Sequence, residues 1–383
     1  MWRLENGLAV LIAYQIYRGP NDQYGKIPGV LGRSEFGLEI VAEIAQLVYI
    51  VGLSFDKVCM LLHFFQNLEL KKSQANQLLN QLSRHWEREF DILCTLLANS
   101  LVVHADETSW SINSVWAFLS EKARILWFGV HKDAETLRKI LDPATFAGLV
   151  ISDDAAVYEN FSASQKCWAH LLRKAIKLTL QDPNSEAYRT FTDRLLEIYR
   201  EACRVQRDRR LGDAGRAKKV VALDNAITDL CLPYWLLDPS PTGFAKDFSL
   251  LVQEVFRLMI HKELFPFVTT PPVPQPNGST QPVSGTNNEA ERTLRDPARA
   301  RLTGRTNKTS NGARRQTILT SVLESLRLYL NKYTLGTVIA ELQRWWKTGR
   351  SCFEQLLNKL HLKQPQADKP IIQQLIPLPT PTG

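Results

Sequence analysis

Cysteine is scarce and scattered in this sequence. The six residues are Cys59, Cys94, Cys167, Cys203, Cys231 and Cys352, and none forms a C-x-x-C pair. That argues against a disulfide framework or a paired-thiolate zinc module and fits a reducing compartment. The single suggestive spacing, Cys167-x-x-His170, has no second pair close by in sequence. Long apolar runs are also missing. A membrane helix needs about 20 apolar residues, and the most apolar stretch, residues 37–53, carries Glu39, Glu43 and Gln46. Residues 7–14 form a short apolar run after Arg3, but no small-residue cleavage site follows. A cytoplasmic protein without a membrane anchor is therefore expected. There is no internal repeat, and neither sign of charge dominates. Lys plus Arg number 47 and Asp plus Glu 39, a net charge of +8. Such a balance permits a nucleic-acid partner without requiring one, so the placement of charge matters more than its sum.

What remains is globular. With 383 residues, 44% of them hydrophobic and 22% charged, the chain can bury a substantial core and is long enough for two or three units. Residues 35–53 have helical apolar spacing, Ser54 caps a helix to about Phe65, and Ser73 opens a long helix toward Leu97. Two helices joined by a short turn could be a helix-turn-helix, but their apolar content favours packing. From Ser100 the period changes. Strands are expected at residues 101–105, 115–119, 125–130 and 148–152, with a fifth near 166–168. Helices follow at 134–141, after the fourth strand, and at 169–180. Three meandering strands followed by alternating helix and strand is the order of a ribonuclease H-like mixed sheet, an α/β fold. Residues 185–262 read as helix, with a basic run at 200–219. Residues 269–286 hold five prolines, two glycines and no charge, and read as an extended, exposed, mobile linker. The expected organisation is a helical amino-terminal region over 1–99, possibly touching DNA, and the first part of a catalytic core over 100–182. A helical insertion (183–268), the linker (269–286), the helical end of the core (287–348) and a proline-rich tail (349–383) follow.

Two aspartates end neighbouring strands in this reading, Asp106 in His104-Ala105-Asp106-Glu107-Thr108 and Asp153 in Ile151-Ser152-Asp153-Asp154. Carboxylates converging at one sheet edge repel unless a cation lies between them. Magnesium suits such oxygen ligands and keeps room for waters and substrate phosphates. Either aspartate could instead cap a turn, as Asp154 could cap the helix that follows. Glu291 is the third candidate. Thr286-x-x-Glu289 reads as a capping box, which leaves Glu291 on another face. There it could reach the site or pair with Arg295 at i+4. Between residues 292 and 315 stand Arg292, Arg295, Arg299, Arg301, Arg305, Lys308, Arg314 and Arg315 against Asp296 alone. The loop 304–312 within this stretch is rich in donors suited to phosphate oxygens. His104 and His170 could lie near the site or serve as core histidines. Trp110, Trp116, Trp127 and Trp168 read as core.

These motifs, taken in order with Tyr158, Cys167-Trp168-Ala169-His170, Arg173-Lys174 and Asn287-Asn288-x-x-Glu291-Arg292-x-x-Arg295, resemble transposases of the insertion sequence 66 family. The resemblance runs from about Ser100 to Leu330. It implies a ribonuclease H-like core interrupted by a helical insertion, with an Asp-Asp-Glu triad of Asp106, Asp153 and Glu291 holding Mg2+, for which Mn2+ may substitute. His104, His170, Asn287 and Asn288 would support the triad. The implied activity is DNA cleavage and strand transfer on transposon ends and target. Homo-oligomers on DNA and accessory proteins encoded by the element are implied partners. The sequence departs from the family pattern at Thr286, where Asp is frequent, and at Asp154, where Gly or an aromatic is usual. An upstream cysteine-rich module is absent from this sequence. Two other readings stand beside this one: a DNA-binding remnant without activity, and a nuclease of the same fold without strand transfer.

Overall fold

A computed structural model describes the chain except residues 21, 22, 26, 33, 236–242, 366–369 and 377–383. It opens with a hairpin of β1 (Trp2–Glu5) and β2 (Leu8–Leu11). Helices α1 (Leu38–Ala45), α2 (Phe55–Gln66), α3 (Lys72–His85) and α4 (Glu87–Ala98) follow. A π-helical turn, Gln46–Ile50, ends the first of them. Ser54 caps α2 by accepting the Lys57 N–H. The helix expected to run unbroken from Ser73 divides at Trp86, whose backbone (φ −97°, ψ 6°) leaves the helical region as its ring enters the core.

Five strands make one mixed sheet in the order β5-β4-β3-β6-β7. They are β3 (Val102–Ser109), β4 (Ser114–Ser120), β5 (Arg124–Val130), β6 (Leu149–Ser152) and β7 (Ser164–Lys166). The first three form an antiparallel meander, and β6 and β7 run parallel to β3. Between β5 and β6 lies α5 (Ala134–Ile140), capped by Asp133 as the sequence suggested. The parallel connections match the alternating part of the pattern, because a parallel neighbour needs a crossover.

Strand alternation sends Val103, Ala105, Trp116, Phe118, Ile125, Trp127 and Val150 into a core shared with α1, α3 and α4. On the opposite face, Val102, Leu149 and Ile151 join a second core. Helices α6 (Trp168–Gln181), α7 (Glu186–Arg207), α8 (Asp213–Trp235), α9 (Gly243–Ile260) and the short α10 (Pro266–Thr269) build that core. All four tryptophans of the central region are buried. Among the described residues, no helix is long and apolar enough to cross a membrane.

Residues 269–286 are not loose. They hold a small hairpin of β8 (Val273–Pro274) and β9 (Thr280–Gln281), and Val273 and Val283 are buried. The Gln206 side chain of α7 donates to the carbonyls of Phe267 at 2.8 Å and Val283 at 2.5 Å. Proline content sets an extended backbone, but two buried valines and one amide hold it in place. Helix α11 (Asn288–Leu302) continues through Pro297, whose ring is buried. The chain then forms α12 (Ser310–Tyr329), α13 (Leu335–Thr348) and α14 (Cys352–Lys359).

Helix α12 lies along the outer edge of β5. Thr317, Ser321 and Ser325 accept the N–H groups of Phe128, Leu126 and Arg124 at 3.0, 3.0 and 2.9 Å. Four helical residues rise about 6.0 Å and two strand residues about 6.6 Å, so a four-residue hydroxyl repeat tracks a two-residue strand repeat. Gly129 (φ +80°) lets the backbone pass here, since a Cβ at this position would lie 2.9 Å from that of Ala313.

The carboxy-terminal segment, expected as a tail, returns to the core as α15 (Ile371–Leu375). Ile372 and Ile376 are buried, and the Ile371 N–H donates to Asp91 at 3.1 Å. Pro377, Pro379 and Pro381 lie outside the described residues. Burial pushes the Asp91 carboxyl up to about 6, against the pull of the Ile371 and Ile372 N–H groups. A carboxyl raised in the folded state favours folding at low pH, and that contribution is lost as pH rises through about 6. Asp91→Asn keeps an acceptor oxygen and removes the charge. It should therefore gain about 1–3 kcal/mol at pH 8 and nothing near pH 4, read by thermal melting at both pH values.

Candidate functional site

The parallel register of β3 and β6 pairs Val102 with Leu149, Val103 with Val150 and His104 with Ile151. Every pair is separated by 47 residues, as are Asp106 and Asp153. Continued two residues further, this register sets Asp106 level with Asp153. Asp106, expected to end its strand, lies inside β3, because pairing with β4 carries that strand on to Ser109, whereas Asp153 does follow the last residue of β6. Both are half-buried. One Asp106 oxygen accepts the Glu107 N–H at 2.9 Å, and one Asp153 oxygen accepts the Ala155 N–H at 3.1 Å. Each carboxylate is thus anchored on one side by a backbone N–H, inside β3 for Asp106 and just after β6 for Asp153.

Asn287 brings the third carboxylate. It is fully buried, and its side-chain amide donates to the Ala105 carbonyl at 2.8 Å, next to Asp106. Its backbone N–H points to the Cys167 sulfur at 3.1 Å. The N-terminus of α11 is thereby fixed against both β3 and the start of α6, and Glu291 follows one turn on. The expected capping box is not formed. Asn287, not Thr286, holds the cap position without a side-chain cap bond, the Thr286 hydroxyl meets Ser284, and Glu289 pairs with Arg124 of β5. Glu291 does not pair with Arg295. Its Oε1 lies 2.7 Å from Arg173 and 3.5 Å from His170 Nδ1, both on α6. Asn288 is exposed at the first turn of α11.

The electrostatics follow from this crowding. Burial, then the charges of Glu107, Asp153 and Glu291, hold the Asp106 carboxyl up at about 7, against the Glu107 N–H that pulls it down. Among the described residues, neither aspartate forms a direct ion pair with a basic side chain, although Lys132 lies close enough to feel both charges, and oxygen donors of this kind fit a hard divalent cation. Beneath them, on the core face of β3, Glu107 is satisfied by Lys132 at 2.6 Å and by the Tyr158 hydroxyl. Burial and the nearby Glu107 push the Tyr158 hydroxyl far up, so it stays a neutral donor. Neither Glu107 nor Lys132 stood out in the sequence. The signal was a carboxylate at a core-facing strand position, which demands a partner.

His104 is buried under the first turn of α11, and burial lowers its pKa, so it is neutral. Asp154 caps nothing. It pairs with Arg257 of α9, tying the helical region to the strand end. A cavity of about 1040 Å³ opens between α6 and α9 and reaches Asp153, Lys166 and Cys167.

The basic stretch divides in two. Arg292, Arg295, Arg299, Arg301, Arg305 and Lys308 are exposed along α11 and the following loop. Arg301 and Arg305 reach the carbonyls of Ser109 and Gly52, and Arg299 lies 3.8 Å from Asp296. Arg314 and Arg315, expected to meet phosphates, face inward. Arg314 is buried between Glu87, at 3.0 Å, and the Ile376 carbonyl. Arg315 bonds Tyr49, Asn76 and Asn80. Sequence counts charge without regard to face, and the first turn of α12 aims these two at the amino-terminal helices. Asn287→Ala should cost about 1–3 kcal/mol by leaving the Ala105 carbonyl unpaired. It should also speed amide exchange in the first turn of α11 while that of α13 is unchanged.

Residues 33–236 match the family model described as Transposase IS66 family. The match contains Asp106, Asp153, Cys167 and His170, while Glu291 and the basic stretch lie beyond it. No curated protein matches the chain. The match spans more than half of the 383 residues, and the chain belongs to the IS66 family of transposases.

Proposed function

We propose that the chain is a DDE transposase that cleaves DNA at element ends and joins them to a target. One observation carries this reading. The register that pairs β3 with β6 sets Asp106 level with Asp153, and the buried Asn287 brings the helix of Glu291 to the same point. The strand order, with an antiparallel meander followed by two parallel strands, supports a ribonuclease H-like core. Asp106, Asp153 and Glu291 would hold Mg2+, or Mn2+ in its place. When bound, such ions stabilise the attacking and leaving oxygens of an in-line phosphoryl transfer. The chain's own residues do the rest. The backbone N–H groups of Glu107 and Ala155 orient the two aspartates, and Arg292 and Arg295, next along α11 from Glu291, steady the phosphodiester strand. Arg299, Arg301, Arg305 and Lys308 extend the track for DNA, and paired copies on DNA with accessory proteins complete the reaction.

The deciding experiment is metal-dependent cleavage of supercoiled plasmid. Asp153→Ala and Glu291→Gln should each lower cleavage at least ~100-fold while DNA binding is retained, because charge stabilisation at the phosphoryl group is the chemistry lost. Cleavage by Asp153→Ala at the parent's rate would refute the triad. Cleavage without joining of supplied ends would make the chain a nuclease of the same fold.

The exposed basic face gives a second test. Changing Arg295, Arg299 and Lys308 together to Ala should weaken binding to any DNA sequence. The slope of log affinity against log salt should become shallower by about 2–3. Arg314→Gln should leave that slope unchanged and lower the melting temperature, since its partners lie inside the protein.

A further inference from the structure

The Cys167-x-x-His170 spacing finds a third member in the folded chain. Cys167 Sγ, His170 Nδ1 and a Glu291 oxygen all lie within 4.8 Å of one another. The sulfur stands 4.0 Å and the imidazole nitrogen 3.5 Å from Glu291 Oε1. Around a tetrahedral zinc ion with bonds of about 2.0–2.3 Å, neighbouring ligand atoms are about 3.4–3.6 Å apart. The three donors are therefore within a small side-chain rotation of that arrangement.

Two further observations point to a ligand. His170 Nδ1 is shielded from solvent and has no hydrogen-bond partner among the described residues. Cys167 Sγ sits at the cap of α6, where it accepts the Asn287 N–H at 3.1 Å. Burial and the Glu291 charge hold the thiol above its ordinary range, against the Asn287, His170 and Ala169 N–H groups, so with no cation present it keeps its proton. Amide donors aimed at a sulfur at a helix N-terminus stabilise negative charge there. Arg173 is the group that now answers Glu291, at 2.7 Å; it is more than half exposed and also donates from Nε to the Ala169 carbonyl.

We propose that Cys167, His170 and Glu291 form a binding site for a borderline-soft divalent cation of the zinc class. Thiolate and imidazole select such an ion over magnesium, which prefers oxygen alone. On binding, the Cys167 thiol gives its proton to solvent and its sulfur bonds the ion. This site differs in kind from the oxygen site of Asp106 and Asp153 and shares Glu291 with it. An ion held here draws Glu291 toward α6, a consequence that rests on the triad reading, whereas the binding does not.

The test is a titration of the full-length protein, free of DNA, with Co2+ and then Zn2+. The parent should show one site, a thiolate-to-cobalt charge-transfer band in the near ultraviolet, and displacement of that band by Zn2+. Cys167→Ser should abolish the band. His170→Gln, at a partly exposed position, should weaken binding at least ~10-fold, with folding of both checked by circular dichroism. Asp153→Asn should keep the band. Absence of the band in the parent, an equal band in Cys167→Ser, wild-type affinity in His170→Gln, or loss of the band in Asp153→Asn would each overturn the proposal. Since no cleavage is measured, these outcomes are independent of the plasmid assay.

Discussion

The arrangement at the sheet end depends on one buried amide. Asn287 lies more than 100 residues beyond β7, yet its side chain bonds the backbone of β3 and its own N–H meets the sulfur at the cap of α6. Three segments distant in sequence are thereby fixed at one point. A buried amide has no water to fall back on, so each bond it makes is expensive to lose. The helices between β7 and α11 can form a large unit of their own because the return of the chain is specified here.

Around that point the molecule tolerates an unusual concentration of acid. Asp106 faces Asp153 and Glu291 from the open side, and Glu107 lies beneath on the same strand. The lower carboxylate is answered within the fold by Lys132 and Tyr158. The upper ones are answered at their margin, Glu291 by Arg173 and the aspartates at a distance by Lys132. The contrast separates a carboxylate that the fold neutralises from an Asp106 carboxyl that burial and its acidic neighbours hold up.

Much of this was legible in the sequence, and the parts that were not share a cause. Strands, the Asp133 and Ser54 caps and the buried tryptophans follow from local pattern, and so does Asp153 at the end of β6, whereas β3 runs past Asp106 to Ser109 because β4 pairs with it that far. The joint at Trp86, the docked α15 and the pinned valines of residues 269–286 depend on partners far along the chain, which composition does not report. Charge was misread for the same reason. Arg314 and Arg315 belong to the same basic run as Arg305 and Lys308, and only the direction of α12 makes them internal. Thr286-x-x-Glu289 fits a local capping rule, but Arg124 and the inward turn of Asn287 override it. The alignment of Asp106 with Asp153 could be read from arithmetic, since their spacing of 47 equals the strand register, whereas Glu291's attachment to α6 could not.

The hydroxyls of α12 carry a different implication. Ser321 and Ser325 accept an N–H from β5 and also donate to the carbonyls of Leu126 and Arg124, at 3.4 and 3.1 Å. Each serine therefore plays the part that a neighbouring strand would play, on a helix that cannot itself be extended as sheet. An open edge is a template for another chain, and here the template has been used up from within. Copies of this protein cannot join by adding strand to strand at β5. The meander side of the sheet therefore stays three strands wide in one copy or several.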